Sequence, residues 1–172
     1  MKILFGFVIL MLAAGMAIAA GQVVTINLVT ADGVGKEIGK ISAADTEHGL
    51  LLRPDLSGLP PGLHGFHVHE HASCDPAKKD DTMTPAQSAG GHLDPKTTGK
   101  HEGPYGTGHL GDLPPLYVDA DGKATLPLLA PRLKVEDLKG HALMIHAGGD
   151  NYSDKPQPLG GGGARIACGA IK

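Results

Sequence analysis

The chain has 172 residues, with 15 bases against 18 acids, ten histidines and no tryptophan. That length suggests one domain large enough for a proper core. The mildly acidic balance without a basic stripe argues against a nucleic-acid partner. It also means that an anionic substrate would need local rather than global positive charge.

The N-terminus comes first in chain order. Lys2, the apolar run Ile3 to Leu12 and the small-x-small Ala17-Ile18-Ala19 read as a secretory signal peptide cut near Ala19, with the mature domain covering 20–172. Gly6, Ala13, Ala14 and Gly15 interrupt the run, and flanking charge is sparse, against a membrane anchor. Loss of Lys2 leaves 14 bases against 18 acids, a charge of about −4 with neutral histidines. In an oxidising compartment the two cysteines, Cys74 and Cys168, read as a disulfide. A loop of about a hundred residues closed in this way stabilises by at most about 4 to 5 kcal/mol.

The mature chain opens with QVVTINLVT, where Val24, Ile26 and Leu28 alternate with Val23, Thr25 and Asn27, a strand pattern. Similar short runs follow at GKEIGKISA, HGLLLRP, HGFHVHE, LYVDA, KATLPLL, HALMIHA and ARIACGAI. DADGK at 119–123 reads as a tight hairpin turn. Eight short strands with almost no helical period predict an all-β fold, a Greek-key β-sandwich or barrel of the immunoglobulin-like kind. Two stretches lack the pattern: Ser73 to Pro115, rich in Gly, Pro and His, and Gly148 to Gly163, which ends in four glycines. Loops of such length inside a compact domain are usually functional.

The histidines fall in a pattern. Residues 64–74, HGFHVHEHASC, hold four of them and a cysteine. On a strand His67, His69 and His71 would share a face. Strands commonly run five or six residues, so the chain is expected to bend toward Cys74 and leave His71 in solvent. The first long loop carries His92, His101, His109 and Asp112, a complete tetrahedral zinc set of the structural kind. His67 and His69, with His146 at the end of HALMIH, make three nitrogens on rigid elements, and all-imidazole ligation suits copper.

In this order and spacing HGFHVHE, GGHLDP, the two further histidines with GD, HAGGDN and GGGGARIACG resemble copper-zinc superoxide dismutase, specifically its bacterial exported branch, over essentially the whole mature chain. The resemblance implies copper on His67, His69, His92 and His146, and zinc on His92, His101, His109 and Asp112, with His92 bridging the two. It makes Asp150 the aspartate that hydrogen-bonds one ligand of each metal. Arg165 becomes the arginine that docks the anion beside copper, and Cys74–Cys168 the disulfide within the subunit. It further implies one copper and one zinc per subunit and dismutation of superoxide by alternate reduction and reoxidation of copper, with His92 taking up and delivering a proton. The implied location is the periplasm, with no membrane association once the signal is removed. A homodimer stays open, since bacterial members include monomers and dimers and the KKDDTMTPAQSAGG segment departs from the eukaryotic pattern.

The remaining candidates read as follows. His64 is expected to be a buried, hydrogen-bonded structural residue, and His48 and His141 are expected on the surface. Lys78 and Lys79 read first as solvated charge, with steering of superoxide as the sharper alternative. The GGGG run reads either as a flexible linker or, in its place next to Arg165, as backbone expected to approach the site closely. The alternative function is an exported copper or zinc storage protein without turnover, which would need neither Arg165 nor Asp150.

Overall fold

The computed structural model describes residues 21–172. The signal peptide expected at 1–19 lies outside the described residues. Twelve short strands are formed among the described residues. The first five are β1 (Gln22–Thr30), β2 (Gly33–Thr46), β3 (Gly49–Ser57), β4 (Gly62–His64) and β5 (Phe66–His69). A hairpin of β6 (Ala77–Lys79) and β7 (Thr82–Thr84) follows, then β8 (Leu116–Val118), β9 (Lys123–Ala124), β10 (Leu128–Ala130), β11 (Ala142–His146) and β12 (Arg165–Ala170).

The main sheet is antiparallel and runs β10-β3-β2-β1-β12-β11-β5, with β9 also on β3. The last strand therefore pairs with the first, and β5 pairs with β11, so the chain crosses over as a Greek key. This is the curled eight-stranded all-β sandwich that the sequence predicts. Its interior is filled by alternate residues of the strands, among them Ile26, Ile41, Leu52, Phe66, Val68, Leu143 and Ile145.

The pattern departs from the simple alternation in three places. In β1 the register shifts around Asn27, so Val29 rather than Leu28 is buried. Gly39 faces Ile26 there with φ +132°, and a Cβ on it would lie 2.0 Å from the Asp55 carbonyl oxygen. Gly65 splits HGFHVHE into β4 and β5, and Pro127 splits KATLPLL into β9 and β10. The loop after Cys74, read as lacking strands, forms the β6–β7 hairpin, which turns on Asp80 and Asp81 with φ of 50° and 64°. The DADGK turn is present, with the Asp119 N–H donating to the Lys123 carbonyl at 2.9 Å. Its flanking strands, however, pair with β4 and β3 rather than with each other.

Two features carry the fold to the site. The Cys74–Cys168 disulfide, with Cα atoms 5.7 Å apart, ties the start of the first long loop to β12. The free edge of β5 is covered by that same loop: the Val68 N–H donates to the Gly111 carbonyl at 2.9 Å, and the Leu93 N–H to the Val68 carbonyl at 2.8 Å. His69 and His92, and His67 and Asp112, thereby become cross-strand neighbours. All four residues of β5 are buried, Phe66 and Val68 in the core and the two histidines under the loop.

Candidate metal centre

Two groups of side chains converge where the long loops meet β5 and β11. The first is His67, His69, His92 and His146, all buried. Hydrogen bonds made by the outer ring nitrogens set which nitrogen each imidazole turns inward. The Nδ1–H of His69 donates to the Gly90 carbonyl at 3.0 Å and that of His146 to the Gly163 carbonyl at 3.1 Å. Their Nε2 atoms then stand 3.4 Å apart with no proton to share. His67 is turned the other way, its Nε2–H donating to Asp150 Oδ2 at 2.8 Å and its Nδ1 left without a partner.

The second group is centred on Asp112 Oδ1. Nδ1 of His92 and of His101 each lie 3.0 Å from that oxygen, and Nδ1 of His109 lies 3.4 Å from it. Tetrahedral ligands at about 2.0 to 2.1 Å from one zinc stand roughly 3.3 Å apart, so the three distances from the carboxylate suit ligands of a single ion. The ligand atoms that also lie close to one another are those of His67, His92, His101 and Asp112, and His109 joins them through its contact with Asp112. The Nδ1 atoms of His101 and His109 have no hydrogen-bond partner, although both rings are buried. Such orphaned nitrogens are costly unless a cation satisfies them. The other carboxylate oxygen of Asp112 accepts from the N–H groups of Glu102 and Gly103, which fixes its direction.

Asp150 joins the two groups. Its buried carboxylate accepts from His67 Nε2 at 2.8 Å and from His101 Nε2 at 2.7 Å, one ligand candidate on each side. Gly160 presses against it with φ +70°, where a Cβ would lie 2.1 Å from Asp150 Oδ1. The glycine run therefore seals this contact and also lies against a ligand candidate, since a Cβ on Gly162 would stand 3.2 Å from the His146 Cβ. His67 and His92 both fall within reach of each group. His67 spends Nε2 on Asp150, whereas His92 has Nδ1 toward Asp112 and Nε2 without a partner.

The protonation pattern follows from burial and charge. Burial, aided by the neighbouring imidazole of His92, holds His67 and His69 well below the ordinary histidine range. Burial likewise lowers His146 to about 4. His92 is lowered by burial, against the pull of Asp112. Neutral imidazoles are what a metal requires as ligands. His101 goes the other way: burial opposes its charge, yet the two adjacent carboxylates of Asp112 and Asp150 outweigh it and raise the group to about 9. Asp112 is held well below the usual carboxylate range by His101 and His92, despite its burial.

A cavity of about 160 Å³ opens from solvent onto the first group, lined by His69, His92 and His146 and by Lys79, Thr84 and Arg165. The guanidinium of Arg165 donates to the carbonyls of Ala86 and Gly90, each at 2.6 Å. Gly90 thus positions both His69 and Arg165. Adjacent residues of β6 face opposite ways, and of the two lysines only Lys79 lines this opening.

Other histidines fall outside the centre. His64 is buried, its ring nitrogens against the carbonyls of His146 and Pro60 at 2.7 and 2.8 Å. His71 lies past the end of β5 and is exposed. His48 is also exposed, whereas His141, expected on the surface, is half-buried with Nδ1 on the Glu70 carbonyl at 2.7 Å. The acceptors that orient His69 and His146 are backbone carbonyls, which no residue letter announces. Asp154, which accepts from the His101 N–H at 2.9 Å, also went unmarked in the sequence pattern.

A pair of buried histidine clusters sharing an imidazole, on a Greek-key sandwich with an arginine at the opening, defines a dinuclear metal protein of redox type. The Copper/zinc superoxide dismutase (SODC) family model matches residues 38–171. The chain is 59% identical over 164 residues to Superoxide dismutase [Cu-Zn] of Escherichia coli strain K12, covering 95% of this chain and 94% of that one. Among solved structures, Cu/Zn superoxide dismutase from Brucella abortus superposes with a TM-score of 0.87 at 49% identity, over 89% of this chain and all of that one. The solution structure of the monomeric copper, zinc superoxide dismutase from Salmonella enterica gives 0.80 at 60% identity, with the same coverage. The chain belongs to the copper/zinc superoxide dismutase family. It is an enzyme that dismutes superoxide, with one copper and one zinc site per subunit joined by a shared histidine.

Proposed function

We propose that His67, His69, His92 and His146 hold copper, that His92, His101, His109 and Asp112 hold zinc, and that His92 is the bridge. The orphaned inward nitrogens carry this reading: His92 alone presents one nitrogen to each group, while His67 has a single nitrogen to offer. When bound, copper supplies alternate one-electron oxidation and reduction of superoxide, with release of oxygen and then of hydrogen peroxide.

The chain's own residues do the rest. Arg165, half-buried and held by two carbonyls, keeps three N–H donors for a small anion at the copper side of the cavity. Nε2 of His92 would hold one proton in one half of the cycle and yield it to the departing peroxide in the other, the second proton of hydrogen peroxide coming from water. Asp112, fixed by two backbone N–H groups, keeps the His92 ring in place while that proton moves.

The leader pattern at 1–19 supports export, and the bacterial relatives are consistent with a periplasmic enzyme made of residues 20–172. Among the described residues no helix is long and apolar enough to cross a membrane. One experiment covers both parts. Protein collected from the periplasmic fraction should have the intact mass of a chain starting near Ala20. Loaded with both metals it should dismute superoxide, whereas His92→Ala should bind the metals without coupling them and lose most of the rate. A retained Met1 or an unimpaired His92→Ala variant would overturn the corresponding half.

Lys79 is proposed to steer superoxide. It borders the opening of a protein with net negative charge. Lys79→Glu is expected to lower kcat/KM roughly threefold at low salt and to flatten its salt dependence, with a smaller effect for Lys78→Glu. Stopped-flow rates across an ionic-strength series would check this. Equal slopes in both variants and the parent would exclude steering by this hairpin.

A further inference from the structure

We infer that Arg132 is a positioning residue for the zinc site: its guanidinium holds the loop carrying His101 and His109 in the ligating conformation. The inference rests on the zinc assignment proposed above. Arg132 follows β10, and its guanidinium hydrogen-bonds to backbone carbonyls rather than to the clustered imidazole rings. Its Nε donates to the Pro104 carbonyl at 3.0 Å, one terminal nitrogen to Gly108 at 3.1 Å, and the other to Gly103 at 3.0 Å and to the carbonyl of His109.

These four acceptors bracket the turn between two zinc ligand candidates. The segment 101–109 is irregular backbone, closed at its base by the His109 N–H donating to the Lys100 carbonyl at 2.9 Å. Just inside that base the Gly103 and Glu102 N–H groups donate to Asp112, so the loop is held from inside by the carboxylate and from outside by the guanidinium. A planar fork with several donors can engage carbonyls that point in different directions, which one ammonium nitrogen cannot do. Arg132 therefore links the rigid sandwich to the ligand loop much as outer hydrogen bonds orient the ligands of other metal sites. On its outer side the guanidinium borders a cavity of about 320 Å³ that also meets Asp94, Lys96, Thr107 and Leu110. Substitution there opens toward solvent rather than into the core.

The test uses the copper- and zinc-loaded protein and its Arg132→Lys and Arg132→Met variants, with Lys134→Met from the same segment as control. Zinc transfer to a chromophoric chelator gives affinity, and cobalt(II) in place of zinc gives a visible ligand-field spectrum that reports site geometry. Both Arg132 variants are expected to bind zinc about 10- to 100-fold more weakly. They should also show an altered cobalt spectrum, while the copper signal and the Lys134→Met protein stay as in the parent. Arg132→Lys, with its charge and length retained, keeps the test open if Arg132→Met does not fold. Parental zinc affinity and cobalt spectrum in the variants would overturn the inference. A parent that takes no zinc at this site would instead bring down the zinc assignment itself.

Discussion

Asp150→Asn is expected to weaken binding of at least one of the two metals by about 10- to 100-fold and to lower dismutation with it. The carboxylate accepts from His67 Nε2 and His101 Nε2 with its two oxygens. An amide of the same shape offers one oxygen and one NH2, so one imidazole would meet a donor where it needs an acceptor. The affected ring must either turn or switch its protonated nitrogen, and either change spoils the inward nitrogen on that side. Shape is not the cause, because the amide is isosteric in a space that Gly160 leaves barely open. Metal content after dialysis against buffered free copper and zinc, followed by the rate at full loading, would separate the two effects. An Asp150→Asn protein with parental affinity for both ions would show that the bridge is dispensable.

How much of this was legible from residues alone depends on where the chemistry resides. Strands with a core face announce themselves by alternation, and all eight predicted runs contain a strand. The bulge at Asn27 is invisible to that pattern, since it lies in the pairing with β2, where Ile38 is left without a partner between Gly39 and Glu37. The β6–β7 hairpin was missed because AKKDDTMT has no apolar face: it is exposed apart from its ends and is held by backbone pairing.

The residues that converge were legible because imidazoles, carboxylates and a guanidinium are side-chain chemistry written in the letters. Their orientation was not. Backbone carbonyls of Gly90 and Gly163 decide which nitrogen of His69 and of His146 turns inward. Arg132 lies in a segment with no histidine near it in sequence, and only the fold brings it against the loop.

Arg165→Ala is expected to reduce kcat/KM by about 10- to 100-fold, since a charge-assisted hydrogen bond is worth about 1.5 to 3 kcal/mol and each 1.36 kcal/mol is a factor of ten. The substrate is small and singly charged, so few contacts can discriminate it, and one fixed cation is expected to supply a large share of its binding. Fixation comes from register as well as from the two carbonyl bonds: Arg165 pairs with His146 where β11 meets β12, beside an irregularity after Ile145. Docking group and ligand candidate are therefore placed by the same turn of backbone. Arg165→Lys should fall between parent and alanine variant, because an ammonium keeps the charge but lacks the planar fork whose separate nitrogens reach the two carbonyls and an anion. Gly90 bonds both Arg165 and His69, so a loss of rate could also come from a loosened ligand. The copper spectrum of the loaded variant separates these causes: a parental spectrum with weakened azide binding assigns the loss to docking, and an altered spectrum assigns it to His69. A rate unchanged in Arg165→Ala would remove the arginine from the reaction altogether.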